Sequence, residues 1–427
     1  MKAALYTLGC RLNQAESESL ADRFAREGFE VVKPEEAELV IVNTCTVTSK
    51  AEQKARRMIR LFAKRSEVIV TGCYAELGRA EIEAVSPSVT VFSLSEKAGL
   101  LDLPRHIAEK TAEGLSLHEA VKCFHGKAGD AFAFDASSFQ YHSRAYLKVQ
   151  DGCDNHCGFC RTSVVRGKSV FLPHEEVVRR ALEIERSGLH EIMLTGVNLS
   201  NYDHAGEGLG GLLEALLSAL GPDMRLRLSS MESDNVDDRV LEALKDRRMQ
   251  PHFHIPIQSA SKKVLRRVGR FDSIEHIDYM VRRMREIKDD PFIACDIITG
   301  LPGETDEEFQ VTYDFLDRND FSAMHVFPFS PRPGTALYKA SDRVPERVRD
   351  ERAETLRRLS EEHSRRYTAR QLGKKLEVLS EKGAYGTTGN YLKAKISLPG
   401  DRVPVEGMIY QGTVTSTDPF TVSVSRS

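Results

Sequence analysis

Apolar runs and helical periods alternate along the first 115 residues of the chain. Short apolar runs at 2–7, 38–43 and 67–71 have the length of buried strands, and apolar residues recur at helical spacing over 14–27, 48–65 and 76–85. Strands that alternate with helices in this way predict a parallel sheet covered by helices. Residues 1–115 are therefore predicted to form an N-terminal domain with an open parallel α/β sheet.

The alternation resumes after residues 116–143, a stretch of weak periodicity that is interpreted as a linker. Six strands are predicted, each followed by a helical stretch, at 145–150, 190–195, 224–229, 252–257, 292–298 and 323–328. Six βα units predict a partial (βα)6 barrel over residues 144–370. Its working edge is expected at the carboxyl ends of the strands.

The last part of the chain has a different pattern. A long charged helix at about 345–370 is followed by short β runs at 376–379, 391–396, 403–409 and 413–424, with glycines between them. This pattern predicts a small β-barrel over residues 371–427. The fold class is therefore α/β, with an open sheet, a partial barrel and a small β-barrel in that order.

Length and charge narrow the class of protein. The 427 residues suit two or three domains, and a formal net charge of −3 gives no global basic field, so any RNA contact would need local patches. No apolar run is long enough to span a membrane, and no basic-then-apolar leader follows Met1. We therefore expect a soluble, cytoplasmic protein with no membrane partner.

Six of the eight cysteines occupy positions typical of metal ligands, which indicates a reducing compartment. The other two are Cys123, interpreted as an incidental thiol of the linker, and Cys295, interpreted as a core residue within a strand. Cys153, Cys157 and Cys160 are spaced C-x3-C-x2-C directly after the strand at 145–150.

Three thiolates on one short loop are too few for a closed metal site. A structural zinc needs four ligands, and a cubane iron–sulfur cluster usually takes four cysteines. The loop therefore predicts a cluster with one iron open to a non-protein ligand. The alternative is a zinc site completed by His156 or by a distant residue. It is disfavoured because His156 lies inside the loop and no second C-x2-C pair exists.

Cys10, Cys45 and Cys73 each follow one of the three N-terminal strands. The carboxyl ends of parallel strands share one edge, where open α/β sheets hold their ligands, so these cysteines are expected to converge. Gly9 and Gly72 precede two of them and let the backbone approach a bulky ligand. The alternative is three small core residues, since free cysteine packs well. Three cysteines in register favour a second three-thiolate cluster.

The cysteine motifs resemble those of a known family. The C-x3-C-x2-C loop, with Phe159 before the third cysteine, is similar to the radical-SAM superfamily. Segments 9–13, 16–18, 43–47 and 71–75 resemble the N-terminal domain of the radical-SAM methylthiotransferases, and the resemblance covers essentially the whole chain. It implies a transferase that replaces an unactivated C–H with a methylthio group, using S-adenosylmethionine (SAM). It also implies two 4Fe–4S clusters, held by Cys153, Cys157 and Cys160 and by Cys10, Cys45 and Cys73.

The resemblance further implies that SAM contacts lie at the strand ends of the barrel. Segment 194–198 resembles the one that meets the SAM amino group, polar groups of 229–233 could reach the ribose, and 254–259 matches the family pattern closely. The glycines of 296–305 permit close approach to the adenine. The implied cofactor-binding residues are Phe159, Thr195, Gly196, Asn198, Ser230, Glu232, Gln258, Asp296 and Gly300.

Smaller features indicate the branch of the family. Segments 11–18 and 325–335 look most like the branch that acts on N6-threonylcarbamoyladenosine next to the tRNA anticodon and makes its 2-methylthio derivative. Two segments depart from the family pattern: Arg161-Thr162-Ser163 replaces two apolar residues and a proline, and 265–270 lacks the usual methionine and following tyrosine. The alternatives are action on N6-isopentenyladenosine in tRNA or on a ribosomal protein, a non-enzymatic two-cluster redox protein, and an RNA-binding protein with structural zinc.

Two stretches are candidates for RNA contact. The helix predicted over 50–65 carries seven Lys or Arg and one Glu, which fits a solvated face or phosphate contact equally well. Segment 386–391 resembles the family's C-terminal TRAM domain, an RNA-binding β-barrel, and a structural or dimerising barrel is the alternative. The partners expected from the resemblance are the tRNA anticodon stem-loop, SAM and a flavodoxin- or ferredoxin-like electron donor.

Overall fold

The computed structural model describes residues 1–136 and 138–424. Its N-terminal part contains five strands and five helices. The strands are β1 (Lys2–Thr7), β2 (Glu30–Val31), β3 (Leu39–Thr44), β4 (Glu67–Gly72) and β5 (Val89–Val91). The helices are α1 (Arg11–Arg26), α2 (Ser49–Phe62), α3 (Cys73–Glu83), α4 (Leu103–Ala112) and α5 (Leu117–Lys122). The strands form one parallel sheet in the order β2-β1-β3-β4-β5, which confirms the predicted open α/β sheet.

The central strand β3 explains why this sheet is covered on both faces. All of its residues are buried, and alternate side chains enter two different hydrophobic clusters. Leu39 and Ile41 pack with Phe24 of α1, whereas Val40 and Val42 pack with Phe62 of α2. The edge strands β2 and β5 were not predicted, because two or three residues are too few to leave a periodic pattern.

The predicted linker, residues 116–143, contains helix α5 and a packed segment. Ser116 and Glu119 form a reciprocal capping box that starts this helix. Farther along, Phe134 is buried in the core of the N-terminal sheet and Phe132 in the core of the central part. The segment is therefore fixed against both sides. Residue 137 lies outside the described residues.

The central part contains all six predicted strands. The strands are β6 (Ala145–Lys148), β7 (Gln150–Asp151), β8 (Val170–Phe171), β9 (Glu191–Thr195), β10 (Arg225–Leu228), β11 (His252–Gln258), β12 (Phe292–Thr299) and β13 (Ala323–Pro328). The helices are α6 (Thr162–Arg166), α7 (His174–Arg186), α8 (Gly208–Ala219), α9 (Asp238–Ala243), α10 (Lys262–Arg267), α11 (Ile274–Ile287), α12 (Asp306–Asn319) and α13 (Glu346–Arg370).

These strands form a partial barrel of two parallel halves. One half has the order β6-β9-β10 and the other β11-β12-β13. The halves are joined by a parallel bridge of Leu226 with Met249 and by the Met231 N–H, which donates to the His254 carbonyl at 2.9 Å. The interior carries one continuous apolar core, and Cys295 of β12 is fully buried in it, as predicted. The short hairpin of β7 and β8 lies beside the barrel and carries the chain into and out of the cysteine loop.

The C-terminal part is a closed five-stranded barrel. Its strands are β14 (Lys375–Ser380), β15 (Tyr385–Thr388), β16 (Lys393–Ser397), β17 (Ile409–Thr417) and β18 (Phe420–Ser423), in the closed order β14-β15-β16-β18-β17. This confirms the predicted small β-barrel. Residues 425–427 of the predicted domain lie outside the described residues.

Two of the predicted C-terminal strands are wrong in detail. The strand predicted at 403–409 is irregular up to residue 408, because Pro404 has no N–H to donate and Gly407 has a φ of +83°. Val403 and Val405 are 72% and 64% exposed. The strand predicted at 413–424 is two strands, β17 and β18, with a turn between them. Strand β15 was not predicted.

No helix among the described residues is both long enough and apolar enough to cross a membrane.

Candidate active site

Three cysteines, Cys10, Cys45 and Cys73, meet at one edge of the N-terminal sheet. They lie just after β1, β3 and β4, which are neighbours in the sheet. Cys45 and Cys73 are buried, whereas Cys10 is exposed. Burial, together with the nearby thiols of Cys10 and Cys73, raises the pKa of the Cys45 thiol to about 12. The structure thus brings these three thiols together, and we name them the N-terminal triad.

Glycines allow the strand ends to come this close. Gly9 has a φ of +104°, and a Cβ atom there would lie 2.7 Å from the Cβ of Cys45. Gly72 has a φ of +97°, and a Cβ atom there would lie 2.5 Å from the carbonyl oxygen of Thr44. The Asn13 side chain donates to the same Thr44 carbonyl at 3.1 Å and ties the loop after β1 to the end of β3.

Cys153, Cys157 and Cys160 form a second group, the loop triad. Two backbone hydrogen bonds shape the loop: the Cys153 N–H donates to the Gly167 carbonyl at 3.0 Å, and the Cys160 N–H donates to the Cys157 carbonyl at 2.9 Å. Burial raises the pKa of the Cys157 thiol to about 12, and the thiols of Cys160 and Cys153 add to the rise. The three sulfurs therefore share one partly buried environment.

The spacing of the thiols fits clusters better than single ions. Among the described residues, the group of three or more possible ligands with atoms within 4.8 Å of one another is His254, Asp296 and His325, so neither triad is that compact. A tetrahedral zinc site would hold its sulfurs about 3.8 Å apart, given the usual zinc–sulfur bond length. His156, the alternative zinc ligand, is exposed. Three thiols with wider spacing suit an iron–sulfur cluster with one open iron.

Two of the predicted SAM contacts carry buried polar atoms with little or no partner in the protein. Thr195 Oγ1 has no hydrogen-bond partner among the described residues, and Asn198 Nδ2 has only the Cys153 thiol beside it. The Asn198 side chain lies against the Cys153 thiol, and its backbone N–H donates to Gln150 Oε1 at 2.9 Å. Gly196 is held close to the same amide, because a Cβ atom there would lie 2.7 Å from Gln150 Oε1. Buried polar groups without partners fit a polar ligand beside the loop triad.

His254 connects two other predicted SAM contacts. Its Nδ1 lies 2.9 Å from Ser230 Oγ, and its Nε2 lies 2.9 Å from Asp296 Oδ1. A carboxylate can only accept, so Nε2 is the ring nitrogen that donates to Asp296. The ring of His325 lies 5.3 Å from the ring of His254, and burial lowers the pKa of His325. Both histidines stand in motifs that resemble the family, but neither was predicted as a contact.

Two other predicted SAM contacts are Glu232, which lies near the cysteine loop, and Gln258, which lies in a distorted part of β11. Glu232 forms an ion pair with the buried Arg270. Burial raises the pKa of the Cys153 thiol, and the nearby Cys160 thiol and the charge of Glu232 raise it further. Gln258 has a φ of +66°, at the point where the β11–β12 register shifts. Such a backbone for a residue other than glycine is typical of functional sites.

Gly300 and Phe159 have protein contacts that account for their identity. A Cβ atom at Gly300 would lie 2.0 Å from Cγ of Arg349, so packing against α13 requires glycine there. Phe159 packs against a small apolar cluster that includes Val268 and Leu337. Their contact with SAM stays a prediction.

A group of buried charges between the triads was not predicted. Glu16 of α1 forms ion pairs with Lys97, with Lys148 at 2.9 Å and with Arg166 at 3.2 Å. Arg166 also pairs with Asp151 at 2.9 Å. These side chains come from α1, from the segment before α4, from β6 and from α6, so they join the N-terminal and central parts. Glu16 and Arg166 stand in segments that resemble the family, and Lys148 is a lysine inside an apolar run, but no pattern in the sequence indicated that these side chains would meet.

The charges of this group reach the N-terminal triad. Burial acts to raise the pKa of the Glu16 carboxyl, but Lys148, Lys97 and Arg166 outweigh it and hold that pKa well below its usual range. The Arg166 guanidinium also acts on the thiol of Cys73 and partly offsets the effect of burial on its pKa. A cation beside these thiols favours the thiolate form that binds iron.

Comparisons with known proteins agree with this geometry. Residues 147–316 match the Radical SAM superfamily, and residues 2–93 match the family described as "Uncharacterized protein family UPF0004". The chain is 36% identical to the threonylcarbamoyladenosine tRNA methylthiotransferase MtaB of Treponema pallidum, over 91% of this chain and 93% of that protein. The chain belongs to the radical-SAM methylthiotransferase family. This confirms the expected family, the transferase class and the cofactors, SAM and 4Fe–4S clusters.

Further matches support the family and the fold. The MtaB protein of Thermotoga maritima is also 36% identical, over 88% of this chain and 85% of that protein. Among solved structures, the radical S-adenosylmethionine methyltransferase TsrM of Kitasatospora setae has a TM-score of 0.55 and 16% identity, over 79% of this chain and 77% of that chain. This last likeness concerns the fold alone.

Proposed function

We propose that the protein replaces the C2 hydrogen of N6-threonylcarbamoyladenosine in tRNA with a methylthio group. The observation that carries this proposal is the junction between the triads. Arg161, which follows Cys160, pairs at 2.7 Å with Glu52, and Glu52 also accepts from Thr46, which follows Cys45. Two three-thiol sites on one shared interface suit a reaction in which one site activates carbon and the other delivers sulfur.

In this proposal the loop triad and the N-terminal triad each hold one 4Fe–4S cluster. When bound, the clusters would supply the electron that cleaves SAM to a 5′-deoxyadenosyl radical and the sulfur that is transferred. The C2 hydrogen would leave as part of 5′-deoxyadenosine, and a second SAM would supply the methyl group. Thr195, Asn198 and Gly196 bind SAM beside Cys153, with Ser230, Glu232, Gln258, Asp296, Gly300 and Phe159 as the remaining contacts. Arg166, held by its buried ion pairs with Glu16 and Asp151, places a positive charge beside the thiol of Cys73.

Two surfaces are available for the tRNA. Helix α2 presents a basic face, since its buried residues are Glu52, Ala55, Ile59 and Phe62 and most of its Lys and Arg point outward. On β16 of the C-terminal barrel, Lys393 and Lys395 alternate with buried apolar residues and point outward. We infer that both surfaces contact RNA phosphates, and that the C-terminal barrel acts as a TRAM-like domain. A single-stranded anticodon loop permits the target base to be splayed into the junction at low cost.

The reaction also depends on the domain organisation, the cellular compartment and an electron donor. We infer that residues 1–115, 144–370 and 371–427 are three domains and that the segment 116–143 connects the first two. We also infer that the protein works in the cytoplasm, where thiols stay reduced and tRNA is present, and takes electrons from a flavodoxin- or ferredoxin-like donor.

The test is turnover on defined RNA. The anaerobically reconstituted protein is mixed with SAM, a strong reductant and anticodon stem-loops that carry threonylcarbamoyl- or isopentenyladenosine, and the nucleosides are measured by mass spectrometry. We expect the 2-methylthio derivative of the threonylcarbamoyl nucleoside together with 5′-deoxyadenosine. Methylthiolation of the isopentenyl nucleoside alone would contradict the proposal, and SAM cleavage without any RNA product would point to a different substrate.

A matched variant separates the two sites. The triple variant Cys10→Ala, Cys45→Ala, Cys73→Ala should bind about four irons instead of about eight, as one cubane cluster in place of two requires. It should still form 5′-deoxyadenosine but no methylthio product. Unchanged iron content in this variant would remove the N-terminal triad from the proposal.

A further inference from the structure

A cavity of about 370 Å³ opens between the N-terminal and central parts. Its wall includes Ser49 and Glu52 of α2, Tyr74 of α3, Arg161 of the cysteine loop, and Arg332 of the loop after β13. Tyr74 directly follows Cys73, and Arg161 directly follows Cys160. The cavity therefore lies beside both triads, next to any base held between them.

Two arginines in this wall share one carboxylate. Arg161 and Arg332 both form ion pairs with Glu52, the first at 2.7 Å, and their side chains are only 9% and 4% exposed. The Nε atoms of both guanidinium groups are buried without a hydrogen-bond partner among the described residues. The cavity wall thus holds one more positive charge at this point than Glu52 can balance.

The other acidic residue of the wall does not balance this charge. Glu81 accepts from Tyr74 at 2.6 Å and pairs with Arg56 at 3.2 Å. Arg332 also donates to Ser49 Oγ at 2.6 Å, which fixes its guanidinium plane against α2. A planar guanidinium held in this way is suited to a carboxylate, because the two groups can form parallel hydrogen bonds.

The threonylcarbamoyl group ends in such a carboxylate. In adenine, C6 and C2 flank N1, so a group on N6 lies on the same side of the ring system as the C2 position that reacts. A base with C2 at the junction of the triads would direct its N6 group towards the neighbouring cavity. An isopentenyl group is apolar and could not balance the positive charge that Glu52 leaves over, which is unfavourable in a buried site.

We propose that Arg161 and Arg332 form the specificity site that binds the carboxylate of the threonylcarbamoyl group. This inference rests on the proposed function and names the residues that select its substrate. The family pattern has an apolar residue at position 161. Binding of this carboxylate gives a reason for the arginine that stands there. Glu52 holds the two guanidinium groups in place before the substrate binds.

The test compares an acid with its neutral ester. Fluorescent anticodon stem-loops carrying adenosine, N6-threonylcarbamoyladenosine or the methyl ester of the latter are bound to the reconstituted full-length protein, and affinities are measured by anisotropy. We expect the native protein to prefer the acid over the ester by about ten- to a hundredfold, the range for hydrogen bonds to a charged group. Arg161→Leu and Arg332→Leu should bring this ratio close to one, and Arg161→Lys should leave an intermediate ratio.

Controls keep a folding defect apart from a specificity defect. Arg239→Leu removes an arginine that pairs with Glu207 and Glu214 on the outer surface, and should leave the ratio unchanged. Iron content and the visible absorption spectrum report whether each variant still holds its clusters. Arg161→Leu with native iron content and a native acid-to-ester ratio would overturn the inference.

Turnover assays distinguish a failure of the specificity site from a failure of the proposed function. If the native protein methylthiolates the threonylcarbamoyl RNA but binds acid and ester equally, the specificity site is wrong and the proposed function stands. If it methylthiolates only the isopentenyl RNA and binds acid and ester equally, both are wrong.

Discussion

At the scale of single residues, Glu16 decides the balance of charge between the two triads. It is 1% exposed and faces three cations, of which Lys97 is 1% exposed and Arg166 has a side chain that is also 1% exposed. A buried group of this kind depends on all its members, because removing one leaves another charge without a partner in a medium that solvates it poorly. Ion pairs that cross from the N-terminal to the central part therefore hold the two triads in a fixed relation.

Arg166→Met tests this dependence. The variant leaves Asp151 and Glu16 with one fewer cation, so the free energy of unfolding should fall by about 3–5 kcal/mol. The measurement is urea unfolding of the cluster-free protein, followed by circular dichroism. Arg239→Met, which removes an exposed arginine, should cost about 1 kcal/mol or less. Equal losses in the two variants would contradict a structural role for the buried group.

The lowered pKa of Glu16 predicts a dependence on pH. Because the folded-state pKa lies well below 4.5, the ordinary value of a glutamate carboxyl, the carboxylate stabilises the fold above that pH, and the stabilisation is lost as the pH falls through the folded-state pKa. The stability difference between the native protein and Glu16→Gln should therefore be constant near neutral pH and shrink below about pH 4.5. Urea midpoints of both proteins from pH 7 to pH 3 measure it. A difference that stays constant over this range would contradict the assignment.

At the scale of elements, the strand ends carry the part of the site that the sequence could predict. Cys10, Cys45 and Cys73 follow apolar runs, and parallel neighbours in a sheet must end at one edge, so their convergence follows from pattern and topology. The six barrel strands were predicted for the same reason. Helix α5 was missed although Ser116 and Glu119 carry the capping-box signature, because weak periodicity after it outweighed that signal.

Gly72, at the turn between β4 and α3, leads to a prediction about the iron content of the protein. Gly72→Ala would place a Cβ atom 2.5 Å from the Thr44 carbonyl oxygen, at a φ of +97°, and displace Cys73 from the N-terminal triad. Iron content should fall from about eight to about four per chain, as loss of one of two cubane clusters requires, while 5′-deoxyadenosine still forms.

Gly114→Ala is the matched control for this variant. Gly114 also has a φ of +97°, but a Cβ atom there would meet nothing within 4 Å, so the variant carries the backbone strain without the clash. It should cost about 1 kcal/mol of stability and keep the full iron content. Loss of iron in both variants would assign the effect to strain in the fold instead of to the strand end.

At the scale of the whole molecule, the three parts meet at one aromatic ring. Tyr391, between β15 and β16, accepts a hydrogen bond from Arg11 of α1, and its ring lies 4.1 Å from the ring of His252 and 4.9 Å from the Arg227 guanidinium. Arg11 and Tyr391 are 380 positions apart, and no periodic pattern links residues at such a distance. The same holds for Lys97 and Glu16, which is why these contacts could not be predicted while the elements that carry them could.

Tyr391 predicts how the C-terminal barrel is held on the rest of the protein. Its φ of +66° is unfavourable for tyrosine, so the surrounding contacts must hold the ring in place. Tyr391→Ala should loosen the barrel, so that trypsin cuts faster after Lys374, between α13 and β14. The affinity for the anticodon stem-loop should fall, whereas SAM cleavage at the loop triad should persist.

Two other tyrosine variants show whether this effect belongs to the junction. Tyr391→Phe keeps the ring over His252 and should be cut slowly by trypsin, because the lost hydrogen bond is a smaller part of the contact than the aromatic surface. Tyr385→Ala removes a tyrosine of the same barrel that is 54% exposed, and should leave the rate of cleavage unchanged. If all three variants were cut at the native rate, the barrel would have to be held by contacts other than Tyr391, and its coupling to the triads would need a different route.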